Sequence, residues 1–368
     1  MNKAMVDRRE QTATAERELA SNVYLVAPGV YRMKDMLVNV FILQNRDATE
    51  WVLVDAGLRT SAPKIREMAR SIFGSTGSTP RAIIMTHGHF DHRGSLQELA
   101  GEWGVPVYCH RLERPYLMGK AAYPPADPAV GGGLLSLLSF TFPNAPIDVS
   151  DHLQELPENG MVPELSDWRW IHTPGHTPGH ISLFRDGDGV LIAGDAFTTT
   201  MQESALSVAT QKKILCGPPK YFTPDWVSAA HSVKELAALE PNVIVTGHGQ
   251  ALYGDEARKD LHKLARNFWQ RGIPATGRYV KEAVTFDSDG APSHIPSGKG
   301  IMLKRVALAA GLLAIGLLAM RYKRQSTGLR AKAAGKIGKH FLGSSYAAIG
   351  ATAPASAALP ALPMIPAI

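Results

Sequence analysis

Short hydrophobic runs separated by Gly, Pro and charged residues dominate the chain from Val23 onwards. Apolar runs of three to five residues bounded by such turn formers are typical of buried strands rather than helices. Residues 23–45 predict several short strands, and EWVLVDAG adds another that ends at Asp55. The next segment, SAPKIREMARSIFG, has apolar residues at helical spacing, which predicts a helix that starts after Ser61 and ends at Gly74.

One arrangement occurs four times along the chain: an apolar run is followed at once by a turn that carries His or Asp. RAIIM precedes THGHFDH, WRWI precedes HTPGHTPGH, GVLIA precedes GDAF, and NVIV precedes TGHG. Loops that leave the ends of strands can present side chains to a shared cleft. We therefore expect these four turns to meet at one edge of the predicted sheets.

The hydrophobic pattern also predicts the domain limits. A folded domain is expected over residues 23–285, after a flexible lead at residues 1–22, with its later helices at residues 225–239 and 255–271. Within the domain, residues 110–165 are rich in Pro, Gly and apolar residues and have little periodicity. A segment of this kind predicts a lid-like insertion, although a surface excursion without a role fits the same composition.

The C-terminal part of the chain has a different composition. Residues 286–300 predict a linker. Residues 301–324 contain VALAAGLLAIGLLAM, fifteen uncharged residues between basic flanks. As a helix this run would be about 22 Å long, shorter than the ~30 Å hydrocarbon core of a bilayer. It therefore predicts either a membrane anchor or a helix that lies on a membrane or a partner. Residues 325–368 are basic and then rich in Ala and Pro, which predicts disorder.

The high isoelectric point comes from the C-terminal part of the chain and not from the predicted domain. A pI of about 9.2 would raise the question of nucleic acid. However, ten of the 39 Lys and Arg lie after residue 298, where there is no Asp or Glu, so the first 298 residues carry 29 basic and 33 acidic side chains. This mildly acidic part does not predict a nucleic-acid partner.

The cysteines and the N-terminus indicate the compartment. Cys109 and Cys216 lie far apart without CxxC spacing, which predicts no disulfide and a reducing environment. The first twenty residues are charged and lack the apolar stretch of a secretion signal. We expect a cytoplasmic protein, with residues 301–324 as a candidate membrane contact.

The turn THGHFDH brings His87, His89, Asp91 and His92 within six residues. Imidazole and carboxylate groups are ligands that suit zinc, iron and manganese. A catalytic metal takes about three protein ligands and keeps one position open. Four candidates in one turn, with more downstream, therefore predict two metal ions.

The other three turns add five further candidates. HTPGHTPGH offers His172, His176 and His180, and its Thr-Pro-Gly repeats force turns, so the three rings cannot all face one way. Spacing alone does not choose among them. GDAF adds Asp195 and TGHG adds His248, which would each be ordinary turn residues if they stood alone.

Taken in this order, THGHFDH, TPGHTPGH, AGDAF and TGHG resemble the metallo-β-lactamase superfamily over residues 23–279. That superfamily includes glyoxalase-type thioesterases, lactonases, β-lactamases and RNA-processing nucleases. The resemblance implies an α/β fold, a four-layer αββα sandwich of two mixed sheets with helices outside. The ligands it implies are His87, His89 and His176 for one metal, Asp91, His92 and His248 for the other, and Asp195 for both.

The resemblance also assigns supporting residues. His180 would lie behind the ligands or on the substrate side, and His172 would be structural. Asp55 resembles a carboxylate that orients ligand imidazoles, with a turn-forming Asp as the alternative. Tyr221 and His180 are candidate acids for the leaving group, and Tyr221 also fits a buried core residue.

The predicted reaction follows from two divalent ions, taken to be zinc with iron or manganese as alternatives. Such ions can share a hydroxide that is nucleophilic at neutral pH, and they polarise a carbonyl group. Asp91 would bind metal and steer that hydroxide. No GxSxG elbow supplies a serine nucleophile. We predict hydrolysis of an ester-type bond, a thioester or a lactone, and the apolar insertion favours a small-molecule substrate with an apolar acyl part.

Three alternatives stay open. A mononuclear iron dioxygenase that acts on sulfur compounds can share the fold with ligands of the His87, His176 and Asp195 type. An RNA-processing nuclease would need a basic cleft. A non-enzymatic membrane-associated scaffold would be expected to lose ligands. The complete set of seven positions favours the two-metal hydrolase.

Overall fold

A computed structural model describes residues 15–45, 50–74 and 79–298. By its contacts the chain divides into two units, Met1–Val306 and Ala307–Ile368, and every described residue belongs to the first. The predicted hydrophobic helix and tail lie outside the described residues. Among the helices that are described, none is both long and apolar enough to cross a membrane.

The first sheet contains eight strands in chain order. Along the sheet, the first four pairs of neighbouring strands are antiparallel and the last three pairs are parallel, so the sheet is mixed. Its strands are β1 (Arg17–Ala20), β2 (Val23–Ala27), β3 (Val30–Asp35), β4 (Val38–Gln44), β5 (Trp51–Val54), β6 (Ala82–Ile84), β7 (Val107–Cys109) and β8 (Leu153–Glu155).

The second sheet contains six strands in the order β14-β13-β12-β11-β10-β9. Only the pair β12 and β13 is parallel among them. Its strands are β9 (Met161–Val162), β10 (Leu165–His172), β11 (Ile181–Arg185), β12 (Val190–Ile192), β13 (Val243–Val245) and β14 (Leu252–Tyr253). A separate hairpin joins β15 (Thr285–Phe286) to β16 (Pro292–His294).

The helices flank the two sheets, with short 3-10 turns between elements. The longer helices carry apolar residues on one face and are buried there. They are α1 (Ala62–Phe73), α2 (Leu96–Trp103), α3 (Arg114–Leu117), α4 (Leu134–Leu138), α5 (Ala205–Thr210), α6 (Trp226–Ala238), α7 (Gly254–Arg266) and α8 (Phe268–Arg271).

Three apolar cores separate four layers. Strand residues alternate between faces, so Val52 and Val54 of β5 join a core between the two sheets. Leu53 points the other way, into a core shared with α1 and α2. In the second sheet Leu191 packs in a third core with α6 and α7. The predicted αββα sandwich is therefore confirmed.

The folded part extends beyond the predicted limits at both ends. Strand β1 begins at Arg17, inside the predicted flexible lead, and Glu16 pairs at 2.8 Å with the buried guanidinium of Arg32. A buried cation needs such a partner, which ties the lead to the sheet. The predicted linker contains the hairpin β15–β16, and the Tyr116 hydroxyl donates to the Gly290 carbonyl at its turn.

Candidate metal centre

The four predicted turns follow β6, β10, β12 and β13, so strands of both sheets supply the site. Each turn begins within three residues of the end of its strand. The predicted ligands are all buried, none more than 6% exposed: His87, His89, Asp91, His92, His176, Asp195 and His248.

The structure brings all seven residues together. Their ligand atoms form three overlapping groups, with the atoms of each group within 4.8 Å of one another. The first and third groups match the two ligand sets implied by the family resemblance, and the second joins them. The groups are His87, His89 and His176; His87, His92 and Asp195; and Asp91, His92 and His248.

Asp195 lies between the two ends of the site. Its Oδ2 is 3.0 Å from His248 Nε2, 3.5 Å from His176 Nε2 and 3.6 Å from His92 Nε2. These imidazoles belong to both of the predicted ligand sets. The position therefore fits a carboxylate that contacts two metals, and the ligand role itself remains a prediction.

Unpaired buried atoms indicate what the site could hold. Within the described residues, His87 Nε2, His92 Nε2 and Asp195 Oδ1 are buried and have no hydrogen-bond partner. Buried polar atoms are rarely left unpaired in proteins, and imidazole nitrogen and carboxylate oxygen are metal ligands. The donor set therefore fits two divalent cations, and the buried clusters are consistent with a binuclear site of unspecified metal.

Asp55 orients one candidate ligand. Its Oδ2 accepts a hydrogen bond from His92 Nδ1 at 2.8 Å and another from Thr86 Oγ1 at 2.7 Å, while Oδ1 accepts from the Thr86 N–H at 2.8 Å. This leaves His92 Nε2 directed at the site. Asp55 has φ +62°, a left-handed conformation that Asp and Asn adopt more readily than most residues. Both the turn and the imidazole contact therefore call for this residue type.

The turn that carries His248 is held from the first sheet. His248 Nδ1 donates to the Leu37 carbonyl at 2.6 Å. Asn39 Nδ2 donates to the carbonyls of Thr246 and Gly249 at 2.8 and 2.7 Å. These bonds fix the direction of the imidazole, as partners on the far side of a metal-binding histidine generally do.

The two remaining histidines of HTPGHTPGH have different positions. His180 Nε2 accepts the backbone N–H of Asp195 at 2.9 Å, so His180 lies behind the carboxylate and fixes its backbone. His172 Nε2 donates to the Pro178 carbonyl at 2.8 Å, and its ring stacks on His110. His172 belongs to none of the three ligand groups.

Burial and neighbouring charges set the protonation of the site. Burial, together with neighbouring imidazoles, holds the pKa of His87 well below its usual range, and burial lowers that of His176 to about 3. Burial alone would raise the pKa of Asp195, but the imidazoles of His248 and His92 outweigh it and lower that pKa. The first two imidazoles are thus neutral and Asp195 is ionised at neutral pH, the forms that bind metal. Against the effect of burial, Asp195 raises the pKa of His92 and of His248, so these two imidazoles must release a proton when they bind metal.

Aromatic side chains form one wall of the site. The ring of Phe222 stacks on His89 at 4.5 Å and 23°, and Tyr221 lies beside Phe222 in a small apolar cluster. Phe90 and Phe142 pack against this cluster, the latter from the predicted insertion. Tyr221 is 5% exposed, which agrees with a buried core residue.

Sequence reasoning missed the residues that hold the turns from a distance. Asn39 is the second residue of β4 and Glu113 lies in the predicted insertion, and neither carries a local motif. Glu113 is fully buried and contacts both of the first two ligand turns. The one available signal was its acidic side chain within a largely apolar segment.

Comparisons with known proteins agree with this architecture. The family described as the metallo-beta-lactamase superfamily matches residues 33–248, more than half of the chain. The probable metallo-hydrolase YflN of Bacillus subtilis is 50% identical over 240 residues, which cover 65% of this chain and 90% of that protein. The probable metallo-hydrolase YqgX of the same organism is 30% identical over 175 residues, 47% of this chain and 70% of that protein.

A solved structure of an archaeal superfamily protein from Sulfolobus tokodaii is 20% identical, with a TM-score of 0.44, and covers 73% of this chain and 89% of that one. The family match and the YflN similarity decide the assignment, because the first spans more than half of the chain and the second joins 50% identity to coverage of 90% of that protein. The chain belongs to the metallo-β-lactamase superfamily.

Proposed function

We propose that this protein is a metal-dependent hydrolase that cleaves an ester-type bond, a thioester or a lactone, in a small molecule with an apolar acyl part. The observation that carries the proposal is the complete set of seven buried His and Asp side chains converging from four turns. The name of the relative YflN, probable metallo-hydrolase, supports the same reaction class.

In this proposal His87, His89 and His176 hold one metal, Asp91, His92 and His248 hold the other, and Asp195 contacts both. When bound, two divalent ions supply an activated water and polarise the carbonyl group under attack. Asp91 is proposed to orient the attacking water, since its Oδ2 lies 3.6 Å from His248 Nε2, among the ligand atoms of one group.

The proposal that the substrate has an apolar acyl part is based on the aromatic side chains beside the site. Phe222 covers one face of His89, and Phe90 and Phe142 continue the apolar surface beside the ligand turns. Removing apolar surface of a substrate from water contributes about 25 cal/mol per Å². An acyl chain placed against these rings would gain binding energy next to the reacting bond.

The test is an assay of the full-length protein against acyl thioesters and lactones of increasing chain length. We expect hydrolysis of at least one class, with kcat/KM rising with chain length, and loss of about 100-fold or more in Asp91→Ala and Asp195→Ala. Oxygen consumption by a protein with a single iron would instead assign it to the dioxygenase alternative. Activity that is indifferent to both substitutions would refute the proposal.

A further inference from the structure

Glu113 is a buried carboxylate that the proposed reaction does not use. It ends the 3-10 turn Arg111–Glu113, just before α3, and its exposure is 0%. In the described structure it forms no ion pair within 4.0 Å. An ionised carboxylate without a cation is costly to bury unless hydrogen bonds stabilise it.

Four donors surround this carboxylate. Oε2 accepts the Gly88 N–H at 3.0 Å and the Tyr123 hydroxyl. Oε1 accepts the Thr177 hydroxyl at 2.7 Å and the Gly179 N–H at 2.9 Å. Hydrogen bonds to an ionised acceptor are about twice as strong as neutral ones. One side chain thus joins two separate turns of the site.

Together the two turns carry all of one ligand set, and the first turn also carries Asp91 and His92 of the other set. Gly88 stands between His87 and His89, and Thr177 directly follows His176. These three histidines form one group in the structure. The other predicted set, with His248, has its own support from the first sheet.

The glycines in both turns fit this contact. A Cβ at Gly88 would lie 2.7 Å from the Tyr123 hydroxyl oxygen. A Cβ at Gly179 would lie 2.8 Å from Glu113 Cγ and from its backbone nitrogen. Neither turn could approach the carboxylate so closely with a larger residue. The close contacts of both turns with Glu113 and Tyr123 therefore require glycine at these two positions.

We propose that Glu113 is a positioning residue that selectively stabilises the metal site of His87, His89 and His176. It holds the two turns at a fixed distance from each other through the four hydrogen bonds that its carboxyl group accepts. The inference rests on the proposed metal centre, and it gives the start of the predicted insertion a role in that centre rather than in a lid.

The substitution Glu113→Gln keeps the shape of the side chain and removes its charge. An amide has one oxygen acceptor, and its NH2 group must face either the Gly88 N–H or the Gly179 N–H. One of the two turns therefore loses its hydrogen bond to this side chain in either orientation, and where that turn is the first, the Gly88 N–H keeps only the Tyr123 hydroxyl, at 2.9 Å, as an acceptor. Changes of this kind behind a metal ligand typically cost 10–100-fold in metal affinity.

Asn39 offers a matched control at the other end of the site. Its side chain holds the backbone of the turn that carries His248, through Thr246 and Gly249. Asn39→Ala removes those two bonds, together with the one that Asn39 Oδ1 accepts from Arg32 Nη1 at 2.9 Å, and leaves the Glu113 contacts in place. We therefore expect it to weaken the other metal site.

The experiment is a Zn²⁺ titration of the metal-free full-length protein in competition with a chromophoric chelator. We expect two binding steps in the wild type. Glu113→Gln should weaken one of them by about 10–100-fold and leave the other unchanged, while Asn39→Ala weakens the other step. Tyr123→Phe, which removes one donor to Glu113, should weaken the same step as Glu113→Gln by a smaller factor, and it replaces that variant if the latter does not fold.

The possible outcomes distinguish a failure of the role proposed for Glu113 from a failure of the proposed metal centre. Equal weakening of both steps by Glu113→Gln, no weakening, or weakening of the same step by Asn39→Ala would overturn the role of Glu113 while the proposed metal centre stands. A wild-type protein that binds no metal would overturn both. Urea unfolding of the metal-free variants shows whether a loss of fold accompanies the loss of metal.

Discussion

Asp55→Asn tests whether the Asp55 carboxylate keeps the His92 Nε2 atom free of a proton and directed at the metal site. Asp55 Oδ2 accepts from His92 Nδ1 at 2.8 Å, which leaves His92 Nε2 buried, unpaired and directed at the site. Asparagine tolerates the left-handed φ of +62° as aspartate does, so the turn is retained. If the amide nitrogen replaces Oδ2, it meets the ring N–H as a second donor. The imidazole proton must then move to Nε2, the atom that would bind metal.

The opposite orientation of the amide does not avoid the conflict. Its NH2 group would then face the Thr86 N–H, which now donates to Asp55 Oδ1 at 2.8 Å. We therefore expect metal affinity at the set of Asp91, His92 and His248 to fall by about 10–100-fold. This corresponds to about 1.4–2.7 kcal/mol of binding free energy.

The assay is the same Zn²⁺ competition, with hydrolysis measured on the loaded samples. Asp188→Asn is the matched control. It removes a carboxylate that is 8% exposed, against 1% for Asp55, and that pairs with Arg185 at 2.9 Å in the turn before β12, away from the ligand turns. It should lower the free energy of unfolding but not the metal affinity. Wild-type affinity in Asp55→Asn, or an equal loss in Asp188→Asn, would refute the reasoning.

Three further predictions concern the core, the substrate wall and the thiols. Trp51→Ala should lower the free energy of unfolding by about 3–5 kcal/mol in urea without changing the metal content, because this indole is 2% exposed and packs in the outer core. Phe222→Ala should lower kcat/KM about tenfold for long acyl substrates and much less for short ones, since the ring stacks on His89. Burial raises the pKa of Cys216 to about 11, so few Cys216 thiolates exist at pH 8. Iodoacetamide should therefore alkylate Cys216 roughly 100-fold more slowly in the native protein than in guanidinium. Equal alkylation rates would contradict the buried environment of this thiol.

The sequence pattern predicted the strands and the position of the ligand turns because these features are local, whereas the arrangement in two sheets was implied by the family resemblance. Each apolar run is followed directly by its polar turn, and β6, β10, β12 and β13 end within one residue of the ends of the runs. The helix predicted at residues 225–239 is Trp226–Ala238, with Asp225 accepting the N–H groups of Val227 and Ser228 as an N-cap. Side-chain capping is a short-range signal that a sequence displays.

The supports of the site could not be predicted because they depend on distant contacts. Glu113 is 25 positions from Gly88 and 66 from Gly179, and Asn39 is 207 positions from Thr246. Only the fold brings these residues together, and a single buried acidic or amide side chain has no periodicity of its own. The same reason applies to the first strand, which depends on the pair of Glu16 with a buried arginine.

The central claim is that two metal ions in one buried site carry out hydrolysis. The most direct measurement is the metal content of the purified full-length protein by elemental analysis, before and after chelation, with hydrolysis of the best acyl substrate measured on the same samples. We predict about two metals per chain, loss of activity on chelation, and recovery that saturates when two equivalents have been returned. Full activity in the metal-free protein, or saturation at one equivalent, would contradict the account.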